Sequence, residues 1–286
     1  MKTQTLPAEV RAAVDATCGK GADLKLVTDR RGCAVWKATG PVRAAAVKVG
    51  TGLEGKPITA RETGALTAIG PGDAVLAHGR REDAAWMVTP WHDGPSTWDA
   101  LRGIRHGSGD LGEAKRYLVE LCEAVARLHA AGWVHSDIQP AHAFHTPRGA
   151  ILIDCSWAWH PQRFAASMLF RGGMPHLLAP ELAAAIEHGT RPVQPSQPAE
   201  VYALAASLWW ATTGTWPLHY TAGGIDPRQL AAAQLRQHIG TGRIPLHAPS
   251  SWPGVQDVLE VLMAALGRPP EHRPSAAGLA ALLQSV

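Results

Sequence analysis

Short apolar runs separated by Gly and Pro fill roughly the first ninety residues, and longer apolar segments at helical spacing fill the rest. Leu24 to Val27, Ala34 to Lys37 and Ala44 to Val49 are predicted as strands. Ile58 to Ile69 carries helix formers and stops at Gly70-Pro71. Ala74 to Leu76 and Ala84 to Thr89 predict two more strands. Beyond them, Leu118, Leu121, Cys122, Val125 and Leu128 recur at helical spacing within Leu111 to Ala131, before Gly132. Val201 to Thr213 is apolar enough for a buried helix, and Gln229 to His238, Val255 to Leu266 and Ala276 to Leu283 are predicted as further helices. Ala143 to His145 and Ala150 to Asp154 are short strand-like pieces, and the Pro-rich stretch Gly189 to Pro198 reads as a loop. No fixed-period repeat is present. The pattern predicts an α+β chain: a small β-rich part with one helix (1–90), then a larger helical part (91–286), with a cleft at about residues 89 to 97.

Composition narrows the class. At 286 residues and 46% hydrophobic content the chain can bury a core without staples. A net charge of +3, with no basic block larger than the pairs Arg30-Arg31 and Arg80-Arg81, gives no sign of a nucleic-acid partner. No apolar run approaches a membrane span, and the start Met1-Lys2-Thr3-Gln4-Thr5 lacks the apolar stretch of a secretory signal. Cys18, Cys33, Cys122 and Cys155 form no C-x-x-C pair, so they are expected as reduced thiols in a cytoplasm. No histidine pair has H-E-x-x-H spacing.

Three stretches carry candidate chemistry. Lys48 is a lone charge in the apolar run Ala44 to Val49, a costly placement unless its ammonium meets an anion. Glu62, on the predicted helix, is a candidate partner for it; on these two residues alone the reading is an edge-strand lysine and a surface glutamate. The block His135-Ser136-Asp137-Ile138-Gln139-Pro140-Ala141-His142 lies between a long helix and a short strand. Ile151-Leu152-Ile153-Asp154-Cys155-Ser156 follows, with an acid at the mouth of an apolar strand, where hard cations bind. Two acids placed so suit a general base and a metal ligand.

In this order the residues resemble the eukaryotic-like (bacterial) Ser/Thr protein kinases. The loop pattern H-x-D-x-x-x-x-N is matched by His135, Asp137 and, at its last place, His142. Asp154-Cys155-Ser156 fills the D-F-G place, and Leu178-Ala179-Pro180-Glu181 resembles the A-P-E segment. Glu200-Val201-Tyr202-Ala203-Leu204 resembles the start of the long buried helix. Pro270-Glu271-His272-Arg273-Pro274-Ser275 resembles the late element whose Arg273 pairs with Glu181. Met87-Val88-Thr89-Pro90-Trp91 resembles the hinge strand, with Thr89 at the gatekeeper place. The resemblance spans roughly residues 24 to 283 and implies a two-lobed protein-kinase-like fold, with nucleotide binding in the N-lobe and the catalytic loop in the C-lobe.

The departures bear on function. Counting back from Val35, the glycine places of the phosphate loop hold Thr28, Arg30 and Cys33, with only Gly32 nearby. Arg30 and Arg31 either replace backbone amides at a phosphate or stand exposed at a strand turn. Ser136 replaces the loop arginine of phosphorylation-switched kinases, and Met174 stands where a Thr usually helps position the loop and substrate. Gln139 replaces a lysine; an amide bonds a phosphate oxygen without neutralising it. His142 replaces the metal-holding Asn. One metal is lost, or the site takes Mn²⁺, or His142 acts on phosphate or substrate, or the ring packs under the loop.

The resemblance implies transfer of the γ-phosphate of ATP, with Mg²⁺ or Mn²⁺, to a Ser/Thr hydroxyl of a protein or peptide. It assigns Asp137 as the base, Gln139 beside it, and Lys48 aligned by Glu62 on the α- and β-phosphates. Asp154 and His142 are assigned to the metal, and Arg30, Gly32, Val35, Thr89 and Trp91 to the nucleotide. One setting that fits is lanthipeptide biosynthesis, where kinase-like proteins phosphorylate a precursor peptide before a separate lyase partner acts. The alternatives are a pseudokinase that binds a peptide or partner without transfer, and a small-molecule phosphotransferase.

Overall fold

The computed structural model describes residues 6–70, 72–189 and 191–286. Met1–Thr5, where a signal segment would begin, lies outside them, as do Pro71 of the helix stop and Thr190 of the Pro-rich loop. The chain divides into two units, Met1–His92 and Asp93–Val286. The α+β class is present: a five-stranded antiparallel sheet characterises the first unit, and helices dominate the second.

The first unit runs α1 (Ala8–Cys18), β1 (Asp23–Arg30), β2 (Cys33–Thr39), β3 (Ala44–Thr51), α2 (Gly52–Ile69), β4 (Ala77–Arg80) and β5 (Ala84–Pro90), with sheet order β1-β2-β3-β5-β4. Strand alternation layers it. Ala34, Trp36 and Ala38 of β2, and Ala45, Val47 and Val49 of β3, share a core with Val10, Val14 and Cys18 of α1. Of the alternate residues, Lys48 pairs with Glu62 of α2 and the Cys33 thiol donates to the Gly55 carbonyl at 3.7 Å. Helix α1 is an addition to the single helix predicted here; Trp86 Nε1 donates to its Glu9 at 3.2 Å. Two other boundaries differ. Helix α2 begins at Gly52, ahead of Pro57, rather than at Ile58. The edge strand β4 occupies Ala77–Arg80, wholly past the predicted Ala74–Leu76, because pairing with β5 (Ala77 opposite Val88, Arg80 opposite Ala85) sets it, not apolar composition.

The second unit runs α3 (Thr97–Ala100), α4 (Arg102–Arg105), α5 (Leu111–Ala130), β6 (Ala143–Thr146), β7 (Gly149–Leu152), α6 (Pro180–Glu187), α7 (Gln197–Thr213), α8 (Ala232–Gly240), α9 (Gln256–Leu266) and α10 (Ala276–Gln284). Helix α5 starts where Asp110 accepts from the Glu113 N–H at 2.7 Å. It buries Leu118, Leu121, Cys122, Val125 and Leu128, the stripe its spacing predicts. Helix α7 is buried on nearly every side and shares its core with residues of α5, α6, α9 and α10. Its first residue, Gln197, shortens the predicted loop, and α6 was not among the predicted helices. Helix α8 begins at Ala232 rather than Gln229, which belongs to a 3-10 turn opened by Asp226. Strand β7 stops at Leu152, because Asp154 has φ +57 and leaves the extended region. All four cysteines are free thiols, and among the described residues no helix is long and apolar enough to cross a membrane.

Leu208 of α7 is fully buried in this core. Leu208→Ala is expected to cost about 2–5 kcal/mol in urea unfolding followed by tryptophan fluorescence. A loss below about 1 kcal/mol would contradict a close-packed α7.

Candidate functional site

Each unit holds its own group of the singled-out residues. In the first, the alternation that sends Val47 and Val49 toward α1 sends Lys48 to the other face of the sheet, toward α2. The Lys48 ammonium donates to Glu62 of α2 in an ion pair whose side chains are 14% and 4% exposed. The pairing alternative therefore holds over the edge-strand one. Val35 lies opposite Lys48 and Thr89 opposite Ala46, so Val35, Ala46, Lys48 and Thr89 share one face. Trp91 follows β5; its N–H donates to the Ala44 carbonyl at 3.3 Å, and the Lys37 ammonium lies 4.4 Å from its ring centre.

The place of the glycine loop is taken by a tight two-residue turn. Arg30 pairs with Cys33, and Arg31 and Gly32 between them have φ of +51 and +73. Positive φ at both central residues is what a type I′ hairpin turn requires. The Gly32 carbonyl accepts from the Thr51 N–H at 2.7 Å. A Cβ on Gly55 would overlap that same carbonyl, so the turn lies directly on the start of α2. Gly32 thus ties the turn to the β3–α2 junction. Arg30 and Arg31 are exposed there.

In the second unit the loop from Trp133 to His142 is tied at each step. Val134 bridges Trp159 through two backbone bonds of 3.0 Å. Glu200 of α7, 3% exposed, accepts from the N–H groups of His135 (3.1 Å) and Ser136 (2.5 Å) and contacts His129 Nε2 at 2.8 Å. Ser207 donates to the Ile138 carbonyl at 2.9 Å. His135 accepts from the Asp137 N–H through Nδ1 (3.3 Å) and donates through Nε2 to the Ile153 carbonyl (2.9 Å), joining the loop to the stretch before Asp154.

The Asp137 side chain is 10% exposed. Gln139 donates to its Oδ1 at 2.7 Å. A Cβ on Gly173 would overlap this carboxylate, so only glycine lets the later segment lie against it. Burial pushes the Asp137 carboxyl above the usual carboxylate range, against the opposing effects of His142 and the Gln139 hydrogen bond. The Ile153 N–H donates to the His142 carbonyl at 2.9 Å, continuing the β6–β7 pairing, and this sets His142 beside Asp154. His142 Nδ1 lies 2.9 Å from the Asp137 carbonyl oxygen, and Nε2 lies 3.6 Å from Asp154 Oδ2. Ser156 donates to Asp154 Oδ1 at 2.8 Å. Ligand atoms of Asp137, His142 and Asp154 all lie within 4.8 Å of one another. Two carboxylates and an imidazole at this spacing fit a divalent cation.

The expected Arg273–Glu181 pair is present; the second of its two contacts, Nη2 to Oε2, is 3.0 Å. Between Gly173 and α6, His176 stacks on Trp216 with ring centres 4.2 Å apart and shares a 2.9 Å hydrogen bond with the Tyr220 hydroxyl. Sequence reasoning missed Ala46, Lys37, Gly173 and Glu200 as site-forming residues. Strand alternation points to the first two; Glu200 and Gly173 become visible only through contacts distant in sequence.

No model of a protein family matches the chain. It is similar to Serine/threonine-protein kinase PkaB of Streptomyces coelicolor, 29% identical over 182 residues, or 59% of this chain and 38% of that protein. It is similar to Serine/threonine-protein kinase pkn2 of Myxococcus xanthus, 26% identical over 212 residues, 71% of this chain and 23% of that protein. A Putative cyclin-dependent kinase F-2 of Oryza sativa subsp. japonica is 33% identical over 79 residues, 27% of this chain and 24% of that protein. The chain spans well under half the length of each of these relatives.

Burial of the His176 ring lowers its pKa to about 4. The unfolded chain, with a histidine near about 6.5, then binds more protons between these values. Stability held above pH ~6.5 is expected to fall as pH drops toward the folded value. Comparing acid unfolding of the wild type with that of His176→Gln, which has no imidazole, isolates this component. Parallel pH profiles for the two proteins would contradict the buried neutral ring.

Proposed function

We propose that this chain is a divergent protein-kinase-like phosphotransferase that moves the γ-phosphoryl group of ATP to a Ser or Thr hydroxyl of a protein or peptide. The single observation that carries the reading is the Asp137 loop: a carboxylate held by Gln139, set by Glu200 and flanked by Asp154. Similarity to Ser/Thr protein kinases over 59% and 71% of the chain supports it.

Phosphoryl transfer asks the protein mainly for positioning and charge stabilisation. Asp137 accepts the proton of the acceptor hydroxyl and orients it, with Oδ1 fixed by Gln139. Lys48, aimed by Glu62, meets phosphate oxygens. Val35, Thr89 and Trp91, joined by Ala46, contact the base, and the Arg30-Arg31 turn supplies positive charge near the phosphates. Asp154 and His142 hold Mg²⁺ or Mn²⁺, which when bound neutralises phosphate charge. In this reading residues 1–90 serve the nucleotide and residues 91–286 the metal and the acceptor.

The segment from Asp154 to Glu181, closed by the Arg273 pair, supports a polypeptide acceptor. The finer setting, a lanthipeptide precursor with a separate lyase, rests on family resemblance alone, to kinase-like proteins with altered loops that phosphorylate such precursors. One observation favours a second reading, peptide binding without transfer: the turn at Gly32 is bonded to Thr51 and does not form a glycine cradle.

Asp137→Asn is expected to lower phosphate transfer from ATP to Ser/Thr peptides by roughly 10²–10⁴-fold, while ATP still raises the melting temperature. Unchanged transfer would remove Asp137 from the chemistry. Gly173→Ala, which forces the Asp137 carboxylate aside, is expected to lower transfer by about 10²-fold with folding retained. Wild-type turnover in that variant would show that this carboxylate position is not needed.

A further inference from the structure

We infer that His142 is a nitrogen ligand and that the cation it helps hold is a transition-type divalent ion, with Mn²⁺ favoured over Mg²⁺. This deepens the proposed function and rests on it for the placing of a metal beside Asp154.

The tautomer of His142 decides which ring nitrogen can ligate a cation. A backbone carbonyl only accepts, so the 2.9 Å contact between His142 Nδ1 and the Asp137 carbonyl oxygen requires the proton on Nδ1. In the neutral ring Nε2 then presents a lone pair. It faces another acceptor, Asp154 Oδ2, at 3.6 Å. That separation exceeds a charge-assisted hydrogen bond of about 2.7–2.9 Å, and it suits two atoms sharing one cation. Bonding the far ring nitrogen to a carbonyl is the usual way a ligating histidine is aimed and its tautomer fixed. Asp154 is aimed as well: Ser156 donates to Oδ1 and the positive φ turns the residue out of the strand, so Oδ2 faces the imidazole. The His142 carbonyl, bonded to the Ile153 N–H, locks the two ligand-bearing stretches in register.

Ligand chemistry sets the preference. Mg²⁺ demands oxygen ligands and retains water, whereas imidazole nitrogen suits later divalent ions. One nitrogen in this otherwise oxygen set therefore moves the site away from Mg²⁺ without losing Mg²⁺ altogether.

The test uses the full chain with Mn²⁺ as the probe, with and without ATP. Pulsed electron paramagnetic resonance of the bound Mn²⁺ is expected to show coupling to a histidine nitrogen. Competition with Mg²⁺ is expected to favour Mn²⁺ by at least about ten-fold. In His142→Asn, and in His142→Gln as a second variant, the nitrogen coupling is expected to vanish and the preference to collapse. Bound Mn²⁺ without nitrogen coupling, an unchanged preference in both variants, or no Mn²⁺ bound at millimolar concentration would each overturn the inference. Failure of the phosphotransferase reading is separable: ATP would then stabilise neither wild type nor variants with either cation, whatever the Mn²⁺ spectrum shows.

Discussion

A carboxylate buried among apolar residues is costly unless donors surround it, and the second unit is organised around one such group. Glu200 opens the buried helix α7, and its oxygens are met by the backbone N–H groups of His135 and Ser136 and by the ring of His129. The end of α5, the start of α7 and the loop between α5 and β6 are thereby joined at one charge. Ser136 adopts φ +70, a strained value for a serine, and its N–H bond to Glu200 offsets that strain. This anchor fixes the two residues before Asp137, and His135 and Gln139 then hold Asp137 itself through its N–H and its Oδ1. Ser207, a further residue of α7, holds the Ile138 carbonyl on the other side of it.

The first unit solves a parallel problem with a different device. Lys48 is embedded in β3 between residues that pack under α1, and its charge is met by Glu62 from α2 on the opposite face. Two helices therefore sandwich the sheet, one supplying apolar packing and the other the counter-charge. The close seating of α2 depends on the absence of side chains at Gly32 and Gly55. The same packing holds the β1–β2 turn against the helix. A turn so held leaves the side chains of Arg30 and Arg31 exposed.

Much of this was legible in the chain because the informative residues break local rules. Lys48 is a charge in an apolar strand, Asp154 an acid at a strand's mouth, and Asp137 lies in a polar block between two apolar segments. Helices with a strong apolar stripe, such as α5, were legible almost to the residue. Helix α1 was not: its buried residues are only Val10, Val14 and Cys18, and no side chain caps its start. The edge strand β4 was misplaced because His78 and Arg80 give it no apolar signature; its register comes from β5. Glu200 resembles any acid in a helix's first turn, where it favours the helix dipole, and nothing nearby in sequence announces that it turns inward. Gly173 is one of two adjacent glycines until Asp137 is placed against it. The tautomer of His142 depends on a carbonyl five residues back in a loop of irregular shape, which no periodicity encodes.

The central claim is that these residues serve a nucleotide phosphate, and titration calorimetry of the purified chain with ATP and a divalent cation tests it most directly. The account expects saturable, cation-dependent binding that weakens sharply in Lys48→Met. Absence of binding at millimolar ATP with both Mg²⁺ and Mn²⁺ would contradict it and leave the chain as a peptide-binding scaffold.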